Sequence, residues 1–218
     1  MQRNFYNNVS YPISLSRGAF WLARTFEKIG NNDEAFKWYD EASKYLTTYY
    51  GQLAHLKIKP NQSFELEEQS KVNEKYKKYF YEKDLVKITY LLNELNKDKY
   101  TKKILKHLAN ENIESGSEIL AAELATNISR YDYAIQIAKV ASYQKRFHND
   151  YNYPIINTPK YVNKRKIPEQ AFILSIIRQE SEFDMTANSS AGAKGLMQLM
   201  TYTAKLVAKQ AKLPYSKS

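Results

Sequence analysis

The residues best placed to do chemistry lie between Glu169 and Ala204. Residues 171–184, AFILSIIRQESEFD, carry Phe172, Leu174, Ile176 and Ile177 at spacings that bury a helix. Pro168 stands where a first helical turn tolerates proline. Glu180 and Ser181 then fall at the C-terminal end of that helix. A carboxylate there feels the negative end of the helix dipole and, when covered, loses hydration. Both effects favour its protonated form. That is how a glutamic acid comes to donate a proton near neutral pH.

A carboxylic acid that works by proton transfer is often paired with a second carboxylate serving as base or nucleophile. Glu182 lies two residues on and points away from Glu180 for as long as the helix persists. Asp184 shares a face with Glu180 only if the helix continues beyond its expected end. Neither is a convincing partner for Glu180. The loop that follows, MTANSSAGAKGLMQLM (185–200), sets Ser189 between Asn188 and Ser190, a composition that also suits an ordinary turn. Gly192 and Gly195 permit positive φ. Met197, Leu199 and Met200 read equally well as core. Thr201 is able to cap the helix expected over 201–210.

In this order and spacing, RQES, SSAGAKGLMQLM and then TA resemble the catalytic domain of soluble lytic murein transglycosylases, a lysozyme-like family. The resemblance implies cleavage of the β-1,4 bond between N-acetylmuramic acid and N-acetylglucosamine in peptidoglycan. It implies that Glu180 protonates the glycosidic oxygen and then, as a carboxylate, deprotonates the muramoyl C6 hydroxyl. Attack of that hydroxyl on C1 closes a 1,6-anhydro ring without water, the substrate N-acetyl group taking the place of a second carboxylate. By the same resemblance Ser181, Ser189, Gly195, Leu196, Met197 and Gln198 contact substrate. Met197 would line an apolar wall, and Gln198 would hydrogen-bond sugar or acetamido groups. No cofactor is implied. His55, His107 and His148 show no ligand spacing, so no metal site is expected.

The elements that must position this segment read as helices. Ala19, Leu22, Ala23 and Phe26 share one face, and Gly30 with Asn31, Asn32 and Asp33 breaks the helix and offers caps. Ala35, Tyr39 and Ala42 mark a second helix, a spacing close to the tetratricopeptide pattern. Tyr49, Tyr50 and Gly51 suggest a turn into a third, and 59–78 reads as a loop or weak helix. Leu85, Ile88, Leu91, Leu92 and Leu95 form an apolar stripe, and Ile104, Leu105 and Leu108 form another. Ser115 with Glu118 has the form of a capping box, and Ala134, Ala138 and Ala141 repeat the small-residue spacing. No alternating strand pattern of useful length is present. The expected fold is all-α: a superhelical α-solenoid over 1–150, a proline-marked linker over 151–167, and the N-terminal part of a transglycosylase domain over 168–218. The same family has a curved superhelix before its catalytic domain.

The chain has 218 residues, a net charge of +10 and no cysteine, which excludes disulfides and thiolate chemistry. The charge suits nucleic acid, an anionic surface or an acidic polymer. Its lysines are dispersed, however, and no nucleic-acid motif accompanies them, so no nucleic-acid partner is expected. The expected partner is the peptidoglycan glycan strand. No run is apolar enough to span a bilayer, and the start lacks a signal-peptide core. Periplasmic localisation is implied by the resemblance alone. Against the family pattern the chain reads as cut at both ends, with a partner chain or following sequence expected to complete the catalytic domain. The competing class is an α-solenoid binding scaffold that retains the motif without turnover.

Overall fold

The computed structural model describes residues 2–66, 70–162 and 164–215. Among them are twelve α-helices, one 3-10 turn and one hairpin of two-residue strands, so the chain is all-α as expected. It divides into two compact units, Met1–Gln69 with Val140–Asn149, and Ser70–Lys139 with Asp150–Ser218.

The first unit contains α1 (Gln2–Asn7), α2 (Pro12–Lys28), α3 (Asn32–Ser43) and α4 (Tyr49–Ile58). Ala19, Ala23, Ala35, Tyr39, Ala42 and Ala54 are buried together, and Phe20, Phe26 and Trp38 pack on them. The alanines let backbones approach while the aromatic rings fill the remaining volume. Asn31 caps α3 by accepting from the Glu34 N–H at 3.2 Å, as its position predicts. At α4 the turn falls earlier than the tyrosines suggest. Thr48 is the cap, accepting from the Gly51 N–H at 3.1 Å, and Tyr49 already begins the helix.

The second unit opens with α5 (Glu74–Glu82), capped by Asn73, where a loop or weak helix was expected. α6 (Asp84–Glu94) buries Val86 and Thr89, not the leucine stripe; Ile88, Leu91 and Leu95 are exposed. α7 (Asp98–Asn110) buries Leu105 and Leu108 as predicted. A 3-10 turn, Ile113–Ser115, leads through Gly116 at φ +89° into α8 (Ser117–Asn127). The expected capping box is absent: Gly116 is the N-cap, and Asn112 caps the 3-10 turn by accepting from the Ser115 N–H. Serine at 115 is spent inside that turn and cannot reach the helix start. Eight of the eleven residues of α8 are buried, making it the centre of a core with Phe80, Val86, Leu105, Leu108 and Tyr133.

α9 (Tyr131–Tyr143) starts at a charge cluster in which Arg130 binds Asp132 through both nitrogen ends, at 2.9 and 2.8 Å, and stacks on Tyr133. Then follow α10 (Asn149–Asn152), the strands β1 (Tyr161–Val162) and β2 (Arg165–Lys166), α11 (Gln170–Glu180) and α12 (Thr201–Ala211). Pro168 lies two residues before α11 and not inside its first turn. No described helix is long and apolar enough to cross a membrane.

Candidate active site

α11 is anchored by Leu174 and Ile177, which are buried with Ile135 of α9 and Phe183. Phe172 is 58% exposed and Ile176 half-buried, so the apolar face of α11 is narrower than the sequence predicts. The helix ends at Glu180 because its last turn is diverted. The Ser181 N–H closes on the Ile177 carbonyl at 3.1 Å, and Glu182 and Phe183 then take positive φ, +51° and +66°. The left-handed region costs a non-glycine residue roughly 1–2 kcal/mol. Here burial of the Phe183 ring and ion pairs at Glu182 hold the reversal.

Glu180 is exposed, so the covering that would strip its hydration is not provided by the described residues. The other two carboxylates are occupied. Glu182 accepts from Lys139 Nζ at 2.7 Å and Arg178 Nη1 at 3.2 Å. Burial alone would raise its carboxyl, but the Lys139 bond and the Arg178 charge outweigh burial and hold it below the usual range. Asp184 folds back to accept from the Thr186 N–H and hydroxyl at 2.8 and 2.7 Å. Glu180 therefore stands as the one unengaged carboxylate at the end of α11 among Glu180, Glu182 and Asp184.

The loop 185–200 is tied to that helix end by one serine. Ser181 Oγ donates to the Leu196 carbonyl at 2.8 Å. Within the loop, Lys194 and Leu199 exchange backbone bonds at 3.1 Å, and the Gly195 N–H reaches the Ala187 carbonyl at 2.9 Å. Gly192 and Gly195 do take positive φ, +87° and +73°. An added Cβ would meet nothing closer than 4.0 Å at Gly195, so torsion and not crowding demands glycine there. Ser189 is exposed, its Oγ accepting from the Ala193 N–H at 3.0 Å. Gln198 turns its Nε2 inward, to the carbonyls of Ala187 and Gly195 at 3.0 and 2.9 Å. Leu196 packs partly on the α11 core, while Met197, Leu199 and Met200 are 38–46% exposed and are not core. Thr201 does not cap α12; Met200 occupies the cap position with no side-chain bond.

Two residues that hold this site had only weak signals in the sequence. Arg178 donates to the Asn152 backbone carbonyl and Oδ1 at 2.9 and 2.8 Å, and Lys139 reaches across from α9 to Glu182. Arg178 and Glu182 do stand four apart, the helix-pair spacing, but the helix ends before that rule applies.

Residues 157–218 match the family model of the transglycosylase SLT domain. The chain is also similar to a curated Haemophilus influenzae protein assigned to the soluble lytic murein transglycosylases, 34% identical over 109 residues, which is 48% of this chain and 18% of that protein. The crystal structure of the 70 kDa soluble lytic transglycosylase of Escherichia coli matches 93% of this chain at a TM-score of 0.70 and 22% identity. That of an inactive mutant of the lytic transglycosylase Slt of Pseudomonas aeruginosa matches the same share at 0.71 and 22%. At such identity these likenesses establish the fold. The chain spans about a fifth of the length of the curated relative and 32–33% of the solved ones.

Proposed function

We propose that this chain carries the acid–base half of a peptidoglycan lytic transglycosylase. Glu180 donates its proton to the glycosidic oxygen between N-acetylmuramic acid and N-acetylglucosamine as the C1–O bond breaks. The resulting carboxylate then takes the C6 hydroxyl proton while O6 bonds to C1, so the product is a 1,6-anhydromuramoyl end and Glu180 is protonated again. One carboxylate suffices because the same group is acid and then base. The observation that carries this reading is the bond from Ser181 Oγ to Leu196 O. It joins the glutamate-bearing helix end to the glycine loop, the two parts of the motif that were read separately in the sequence.

The remaining residues would serve binding. Ser189 accepts from a loop N–H and keeps its own proton to offer a sugar oxygen. Gln198, with Nε2 held by two carbonyls, would present Oε1 to an acetamido N–H. Met197, exposed beside them, would meet the apolar face of a pyranose ring. The reaction belongs where the glycan lies, in the periplasm.

Exposure of Glu180 and the absence of any buried residue on α12 favour a second reading for the chain taken alone, glycan binding with little or no turnover. The test is digestion of purified sacculi with the 218-residue chain, read by mass spectrometry. Release of 1,6-anhydromuropeptides that disappears in Glu180→Gln supports turnover. Sacculus binding retained equally by both proteins, without product, supports the scaffold.

A further inference from the structure

Glu182 sits two residues beyond the proposed proton donor, on a left-handed backbone, and is tied down from two directions. Lys139 comes from the middle of α9, 43 positions earlier in the chain, and Arg178 from the last turns of α11. Arg178 is itself fixed by the backbone carbonyl and Oδ1 of Asn152, the last residue of α10. The result is a connected run, Asn152 to Arg178 to Glu182 to Lys139, which spans the end of the helix that bears Glu180. Ordinary surface ion pairs are not built this way: Arg178 is 19% and Glu182 30% exposed, and Lys139 and Arg178 donate to the same Glu182 oxygen, Oε1. The adjacent Phe183, buried among Ile135, Leu174 and Ile177, gives the same segment an apolar anchor.

We propose that Glu182 is a positioning residue for Glu180. This rests on the reading of Glu180 as the acid–base group. By holding the left-handed reversal against α9, Glu182 sets where α11 stops and which way the Glu180 carboxylate leaves the helix. It also fixes the point at which Ser181 reaches Leu196. A misplacement of about 1 Å at a reacting group lowers rates by about a hundredfold, so a partial loosening at Glu182 is expected to cost turnover by about tenfold.

The experiment uses the full chain and three variants. Glu182→Gln removes the charge and keeps the shape. Glu182→Asn also removes the charge but favours the left-handed backbone, so it guards against simple misfolding. The double exchange Lys139→Glu with Glu182→Lys restores opposite charges across the contact with α9 but leaves Arg178 facing a like charge, so only part of the effect can return. Two readouts are taken: anhydromuropeptide release against sacculus binding, and amide hydrogen exchange over 181–199. Expected are an about tenfold loss of turnover in both single variants with binding unchanged and the melting temperature lowered by only a few degrees, partial recovery in the exchange pair, and faster amide exchange in the loop. Unchanged turnover in Glu182→Asn, or a loss of turnover matched by an equal loss of binding, overturns the proposal. If the unmodified chain releases no product, the reading of Glu180 fails for this chain, and amide exchange decides alone. Loop protection equal to the unmodified chain in both single variants then refutes positioning.

Discussion

Ser181 performs two tasks with adjacent atoms. Its N–H ends the α11 ladder at the Ile177 carbonyl, and its hydroxyl holds the Leu196 carbonyl. Ser181→Ala removes only the second. A buried-side hydrogen bond of this kind contributes about 1 kcal/mol, so the melting temperature should fall by only a few degrees. The loop amides of Gly195 and Gln198 should exchange faster, which hydrogen-exchange mass spectrometry reads directly. Glu182 makes a second prediction, in pH. Its carboxyl is held below the usual value, so the folded state binds its proton less readily than the unfolded chain does. The stabilisation is therefore complete above the unfolded value of about 4.3 and is lost as pH falls through the lower folded value. The melting-temperature gap between the unmodified chain and Glu182→Gln should be constant from about pH 7 to 5.5 and close below about pH 4. A gap that widened in acid would mean the ion pairs do not hold this carboxylate.

Individual elements show which signals reach the sequence. The alanine spacings at 19 and 23, 35 and 42, and 134, 138 and 141 all mark buried faces, because only a small residue permits close helix approach. The leucine stripe of α6 misled, and the reason lies in Thr89. Its hydroxyl donates to the Leu85 carbonyl at 2.7 Å, so a polar residue enters the core already satisfied and leaves no mark in the apolar pattern. Similarly, the glycine loop and the end of α11 were legible as a motif, but Lys139 was not, since nothing local links α9 to Glu182. Gly51 is a further case. It reads as a turn residue, yet it lies within α4, and a Cβ there would stand 2.0 Å from the Tyr45 carbonyl oxygen. Backbone cannot yield as a side chain does. Gly51→Ala should destabilise by about 3 kcal/mol, at the upper end of overpacking costs, and denaturant unfolding would measure it. A cost below about 1 kcal/mol would show that the turn before α4 relaxes.

Across the whole molecule, burial falls from the middle of the chain toward its C-terminal helix. α8 is enclosed on nearly every side, while α12 buries no residue and leaves Tyr202 at 77%, Leu206 at 42% and Val207 at 47% exposure. An eleven-residue helix without packing is marginal in water, because nucleation is unfavourable and tertiary contacts supply most helix stability. Motif and stability are thus uncoupled along this chain. The loop 185–199 is fixed by its own hydrogen bonds and by Ser181, and does not need α12 to hold its turns. Native-state hydrogen exchange separates these parts. Amides of α8 should exchange only through the largest opening of the second unit, with α12 amides within about tenfold of unstructured rates. Loop amides bonded to Ala187, Lys194 and Leu199 should fall between the two. Protection in α12 equal to that in α8 would mean that this helix is held by contacts other than those described, and the apolar face of Tyr202, Leu206 and Val207 would then have to be covered in solution.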